Sequence, residues 1–210
     1  MLTVLVASSK GGCGKSTVVT QLASHWAQKG HRTAIVDGDR QGSSYRWATR
    51  RPDNVPGVLG LEGGRRGLQK VPSDTERVLI DTAAGAHERE LEPYLEQAGV
   101  LLVPVLPSSF DLDATLDFLG HLQGIARVKR GKLPVALVAN RLKPWTHASQ
   151  DAVAQLAESA PFPVVAQLRD SQAYVLLAAL GKGIFDYASE QVRNHQLDWK
   201  PLLRWIKRQH

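Results

Sequence analysis

The segment Ser8-Ser9-Lys10-Gly11-Gly12-Cys13-Gly14-Lys15-Ser16-Thr17 restricts the fold of this chain more than any other part of it. It follows an apolar run, Leu2 to Ala7, and precedes a helical pattern marked by Val18, Val19, Leu22, Ala23 and Trp26. A strand, a glycine-rich loop and a helix in that order make a phosphate-binding loop. Glycines let successive backbone N–H groups curl around phosphate oxygens, and the helix adds the positive end of its dipole. Gly11, Gly12, Cys13 and Gly14 would form the cradle. Lys15 would reach the β- and γ-phosphates, the Ser16 hydroxyl would hold Mg²⁺, and Thr17 would touch the α-phosphate.

Strand patterns alternate with helical ones along the rest of the chain. Arg32 to Val36, running into Asp37, reads as a second strand after a Gly30 C-cap; Arg77 to Asp81, Val100 to Val105, Val135 to Ala139 and Val164 to Ala166 read as further strands. Helical patterns lie around Glu88 to Gln97, Leu112 to Ile125, His147 to Ser159 and Gln172 to Leu180. Pro52 to Pro72, rich in Gly, Pro and Arg, reads as a surface loop. The order predicts an α/β fold with a doubly wound, mostly parallel sheet, helices on both faces, and functional residues at the carboxyl ends of the strands. With 210 residues the expectation is a single domain over 1–210.

Carboxylates stand at two of those strand ends. Val78-Leu79-Ile80-Asp81, four residues ending in an acid, followed by Thr82-Ala83-Ala84-Gly85, has the Walker B pattern, in which Asp81 holds Mg²⁺ through water. The second strand ends in Asp37-Gly38-Asp39-Arg40-Gln41-Gly42, where Asp39 can accept a hydrogen bond from water without being spent on the metal. Asp39 as a helix N-cap is the plainer alternative.

Lys10, within K-G-G-x-G-K-[ST]-T, gives the loop a resemblance to the deviant Walker A motif of the ParA/MinD superfamily of partition and positioning ATPases. The D-x-D segment, the D-T-A-A-G turn, Asn140-Arg141 at a strand end and the R-x-x-x-A-Y pattern of Arg169 to Tyr174 extend it over most of the chain. Ser9 and Arg40 depart from the family's usual glycine and proline. The resemblance implies an ATPase using ATP and Mg²⁺, with ADP as product, in which Lys10 reaches across a homodimer to the partner's nucleotide. It also implies that Asp39 orients the attacking water, that Asp37 lies near Mg²⁺, and that Asn140 with Arg141 borders the adenine. Asn140 as a simple turn residue stays open.

The charge pattern bears on partners. Lys and Arg number 26 against 20 Asp and Glu, a net charge of +6. Arg46, Arg50 and Arg51 form one basic run, Arg127 to Lys132 another, and the tail a third. Glu88, Glu90, Glu92 and Glu96 gather elsewhere with Asp111, Asp113 and Asp117. This segregation predicts a basic face for nucleic acid or anionic lipid. The resemblance implies an ATP-bound dimer that binds DNA without sequence preference, with Arg204, Lys207 and Arg208 as the leading contacts, in a cytoplasmic protein that associates with the nucleoid when ATP is bound. A ParB-like or other adaptor would be its protein partner. The phosphate loop begins so near Met1 that no helix-turn-helix module is expected before it. No apolar run reaches the ~20 residues of a membrane span. Trp199 and Trp205 read as packing on the domain rather than entering a membrane, and Pro201 as allowing helix only beyond it. Cys13, the only cysteine, is either a small residue that fits or a redox-sensitive thiol. A MinD-like membrane-associated ATPase and a nucleotide-binding switch without hydrolysis are the competing functions.

Overall fold

The computed structural model describes residues 1–86, 88–106 and 109–209. Seven strands form the sheet: β1 (Leu2–Val6), β2 (Thr33–Asp37), β3 (Leu59–Glu62), β4 (Arg77–Asp81), β5 (Val100–Val105), β6 (Val135–Leu142) and β7 (Val164–Arg169). Their spatial order is β3-β2-β4-β1-β5-β6-β7 and every pairing is parallel. Parallel strands covered on both sides need apolar residues on both sides, and all positions of β1, β2 and β5 are buried. Successive side chains alternate between two cores. Val4 and Val6 of β1 join one and Leu5 the other.

On the first face lie α1 (Lys15–Gln28), α2 (Ser43–Thr49), α8 (Gln172–Ala179), a 3₁₀ turn (Ile184–Asp186) and α9 (Glu190–Arg208). On the second lie α3 (Gly64–Gln69), α4 (Glu88–Gln97), α5 (Ser109–Gly124), α6 (Ala126–Lys129) and α7 (His147–Ser159).

Two local readings of the sequence are overturned. Residues 52–72 are more than a loop, because they supply the edge strand β3 and the short helix α3. β3 is held by its register with β2, Ala34 to Asp37 against Leu59 to Glu62. Pro201 does not delay the last helix, for α9 runs through it for 19 residues. An interior proline costs about 3 kcal/mol. Trp199, Leu202 and Ile206, all at most 2 % exposed, bury their side chains on the sheet, at about 1.5–3 kcal/mol for a large apolar side chain. Tertiary burial outweighs the local penalty.

Candidate functional site

The sheet order brings the carboxyl ends of β1, β4 and β2 side by side. Val6 is the register partner of Asp81, and Asp81 of Asp37. The phosphate loop leaves β1 at this point and enters α1 at Lys15. Gly14 is in the left-handed region at φ +92, and a Cβ there would stand 2.1 Å from Asn140 Nδ2. Only glycine fits.

Ser8, which the sequence did not single out, is the hub of the loop. Its hydroxyl donates to Lys10 O at 2.8 Å and accepts from Cys13 Sγ at 2.9 Å and from Lys15 Nζ at 3.2 Å. The buried Lys15 ammonium is thus tethered close to the helix N-terminus, whose first N–H groups and positive dipole favour an anion. Lys10, Ser16 and Thr17 are half-buried around it, and Gly11 and Gly12 are exposed at the tip.

The loop is gripped from both sides. Asn140, buried at the end of β6, donates its Nδ2 to Cys13 O at 2.8 Å. Gly85 N donates to Ser8 O at 3.2 Å and Thr82 Oγ1 to Val6 O at 3.0 Å, which ties the turn after β4 to the loop. Arg141 beside Asn140 is exposed at φ +55, the one non-glycine residue with positive φ among the described residues. Such strain concentrates where backbone placement matters.

Both carboxylates near the loop are buried, Asp81 fully and Asp37 at 4 % exposure. Asp37 accepts from Asp39 N at 3.0 Å and from Tyr45 N at 2.8 Å, so it caps the first turn of α2. Neither oxygen of Asp81 has a hydrogen-bond partner. Burial pushes its pKa up to about 7. The Asp37 charge adds to the rise, while the hydroxyls of Ser16 and Ser44 and the Lys15 charge oppose it. Those hydroxyls are near enough to favour the charged form but do not meet the geometry of hydrogen bonds. A buried carboxylate without partners, beside a second carboxylate and a serine hydroxyl, is the donor set of a hard cation that shares its remaining ligands with phosphate. Ser16, Asp37 and Asp81 therefore fit Mg²⁺. Ser44 is a further buried hydroxyl here that no motif announced.

Asp39 does not cap α2. Gly42 occupies that position, and Asp39 Oδ1 instead accepts from Gln41 N at 2.9 Å within its own turn.

The tail residues Arg204, Lys207 and Arg208 are exposed on α9, on the same helix as exposed Arg193 and Lys200. α9 packs on β7, three strands from β1, so these residues are not part of the loop site. Arg51 leaves the basic surface altogether. It forms a buried ion pair with Asp186, at 3.0 Å with both side chains at most 2 % exposed.

Fold and site together define a nucleotide-binding protein of the phosphate-loop α/β class. Residues 4–184 match the CobQ/CobB/MinD/ParA nucleotide binding domain, and the chain belongs to that family. It is 30% identical over 162 residues to the maintenance of carboxysome distribution protein A of Halothiobacillus neapolitanus, covering 73% of this chain and 74% of that protein. It is 28% identical over 200 residues to protein ParA of Rhizobium radiobacter, covering 91% and 88%. Among solved structures, a variant McdA from Cyanothece in complex with ATP shares the fold at a TM-score of 0.72 and 16% identity, covering 100% of this chain and 96% of that one.

Proposed function

We propose that this chain is a ParA-type positioning ATPase. Two copies close on ATP and Mg²⁺, the closed dimer binds DNA without sequence preference, and a partner protein stimulates hydrolysis to ADP and so releases it, moving a plasmid, chromosome or protein cargo. The observation that carries the reading is the partnerless, buried Asp81 carboxylate beside Ser16, Asp37 and Lys15.

In this mechanism the loop N–H groups and Lys15 bind the phosphates, and Lys10 completes the charge clamp from the other subunit. Asp39 accepts a hydrogen bond from the attacking water and orients it. Ser16, Asp37 and Asp81 would hold Mg²⁺, which would supply neutralisation of the phosphate charge. Gly85 N, bonded to the phosphate loop, lets the turn after β4 respond to the γ-phosphate. The exposed cations of α9 support DNA binding, and dimerisation doubles the number facing one duplex. The membrane-binding alternative loses support because α9 spends Trp199, Leu202 and Ile206 on the domain core.

Light scattering with Mg-ATP, and with Mg-ADP as control, tests the reading. Lys15→Ala is expected to lose nucleotide binding, and Lys10→Ala to bind ATP without dimerising or hydrolysing. Asp39→Ala should trap the dimer, with turnover down about 10²-fold or more. Reversing the charge of Arg204, Lys207 and Arg208 should abolish the mobility shift of non-specific DNA and spare dimerisation. The parent protein should show a log–log salt slope of about −0.9 per phosphate neutralised. ATP-dependent liposome binding without a DNA shift would transfer the assignment to a membrane-associated ATPase, and ATP dimers without turnover to a non-hydrolysing switch.

A further inference from the structure

A cavity of about 320 Å³ opens on the first face of the sheet, over the side of α1 that faces α2 and α8. Thr17 and Gln21 line it from α1, Arg46 and Arg50 from α2, and Tyr174 and Ala178 from α8. The three helices leave the carboxyl ends of β1, β2 and β7 and run down the same face, where the chain after α8 clamps them together. A Cβ on Gly181 would stand 2.6 Å from the Arg50 carbonyl carbon, and one on Gly183 would stand 2.7 Å from Ser24 Cβ. Trp47 Nε1 donates to Lys182 O at 3.1 Å in the same clamp. The cavity lies between this clamp and the first turn of α1.

Its lining carries two cations and, among the described residues, no acid. Arg46 and Arg50 are one turn apart on α2, a placement of like charges that works against the helix. Neither cation holds the fold together. Among the described residues the Arg46 guanidinium has no hydrogen bond and no ion pair, and that of Arg50 reaches only the Ala179 carbonyl, at 3.4 Å. Arg51, next in the chain, is by contrast paired with Asp186. Arg46 folds back over the start of α2, its Nη1 3.6 Å from where a Cβ on Gly42 would sit.

The inner wall adds a donor. Gln21 is fully buried, and its Oε1 accepts from Ile184 N at 2.7 Å, which fixes the orientation of the amide and leaves Nε2 without a partner. A buried N–H group with no acceptor is costly to keep. Half-buried Thr17 contributes a hydroxyl between the amide and the arginines. Positive charge and donors gathered in one concavity without a carboxylate suit an anion with several acceptor oxygens, and guanidinium groups match phosphate in particular. The volume exceeds what a phosphate group alone fills, and the rings of Trp47 and Tyr174 with Ala178 give a compact organic body a surface to rest on.

We infer that this cavity binds a small phosphomonoester with a compact, uncharged body, at a site separate from the phosphate loop. Arg46 and Arg50 take the phosphate, while Thr17 and Gln21 face the body. The assignment does not depend on the nucleotide chemistry proposed above, because its arginines belong to α2 and its buried amide to the second turn of α1.

The probe is ribose 5-phosphate, with ribose as the uncharged control, followed by amide NMR shifts of the full chain. The ester should move resonances of residues 17–24, 43–50 and 174–179, in the parent, in Lys15→Ala and in the parent saturated with Mg-ADP. Arg46→Ala/Arg50→Ala changes exposed side chains, and an unchanged melting temperature shows that it folds. It should bind the ester about tenfold or more weakly, and ribose should not bind the parent at all. Equal affinity for parent and double variant, equal binding of ribose, displacement by Mg-ADP, or no shifts in α1, α2 and α8 each overturn the proposal. Shifts of these residues by duplex DNA and not by the ester overturn it too, and move the two arginines to a DNA surface. The thermal shift with Mg-ADP reads the nucleotide site independently: if it is present and needs Lys15 while the ester does not bind, the cavity assignment falls and the nucleotide assignment stands. If the ester maps to the cavity while Mg-ADP does not bind, the cavity stands and the nucleotide assignment falls.

Discussion

On the first face of the sheet the helices are fastened to one another by polar contacts far apart in sequence. The Arg51–Asp186 pair, Trp47 Nε1 to Lys182 O at 3.1 Å, Gln28 Nε2 to Asp186 Oδ1 at 2.9 Å and Ile184 N to Gln21 Oε1 at 2.7 Å join α1, α2 and the 3₁₀ turn. On the second face α4 and α5 flank an apolar groove with exposed acids at its edge. The first face binds its helices together through polar contacts between distant segments, while the second face rests mainly on apolar packing, with Arg127 holding the end of α4.

The largest expected effect breaks the fastened face. Asp186→Ala leaves the buried Arg51 guanidinium with only the carbonyls of Pro56 and Gly181 and no counter-charge, and removing one member of a buried ion pair costs about 3–5 kcal/mol. Urea unfolding should show the loss. Stability unchanged within error would mean that this face is no better fastened than the other.

A smaller effect, also confined to the fastened face, comes with pH. His25 of α1 packs edge-on against Phe185 at 4.7 Å, and burial, followed by the charges of Lys29 and His31, lowers its pKa to about 4. A histidine whose folded pKa lies below its ordinary 6.5 stays neutral in the native state while the unfolded chain takes up protons. Its contribution is therefore complete above pH 6.5 and is lost as the pH falls from there toward 4. Asp186 adds a second drop at lower pH. Burial would raise its pKa, but Arg51, Gln28 and the Gly183 N–H outweigh burial and hold it below the usual carboxylate range. Its stabilisation is full above that range and disappears as the pH falls through the lowered value. The urea midpoint should fall between pH 7 and pH 5, and His25→Gln should flatten that slope.

The smallest expected effect sharpens the contrast from the other side. Glu92→Lys and Asp117→Lys, at exposed positions of the groove rim, should each change unfolding stability by no more than about 0.5 kcal/mol. A loss several times larger would show that the acids are structural.

These two faces were unequally legible in the sequence. Central parallel strands are buried on both sides, so β1, β4 and β5 read as mainly apolar runs, interrupted only by Thr3 and by Arg77 and Asp81 at the ends of β4. The site was legible because glycines, lysines and carboxylates follow one another in motifs whose spacing the chemistry requires, and the sheet register then sets Asp37 beside Asp81. β3 lacked both signals. It is a four-residue edge strand with no fully buried position, and its Gly60 sits in a crowded place, where a Cβ would stand 3.1 Å from Ala48 Cβ, a closeness visible only once α2 lies on it. Arg51 read as surface charge because its partner is 135 residues away. Ser8 belongs to no family pattern quoted above, yet its hydroxyl connects three loop groups. Pro201 obeyed a local rule that the burial of Trp199 and Leu202 overrode. Properties set by chain neighbours were readable; those set by distant partners were not.

The placement of β1 at the centre of the sheet has a consequence for biosynthesis. Its partners are β4 and β5, at residues 77–81 and 100–105, while β2, which follows it in the chain, lies two positions away. Pairings that span so much chain are slow to close. A nascent chain on the ribosome carries the loop sequence well before it has a β4 to set Asp81 beside it or a β6 to supply the Asn140 clamp. The loop thus waits for segments made later than itself to give it its working shape.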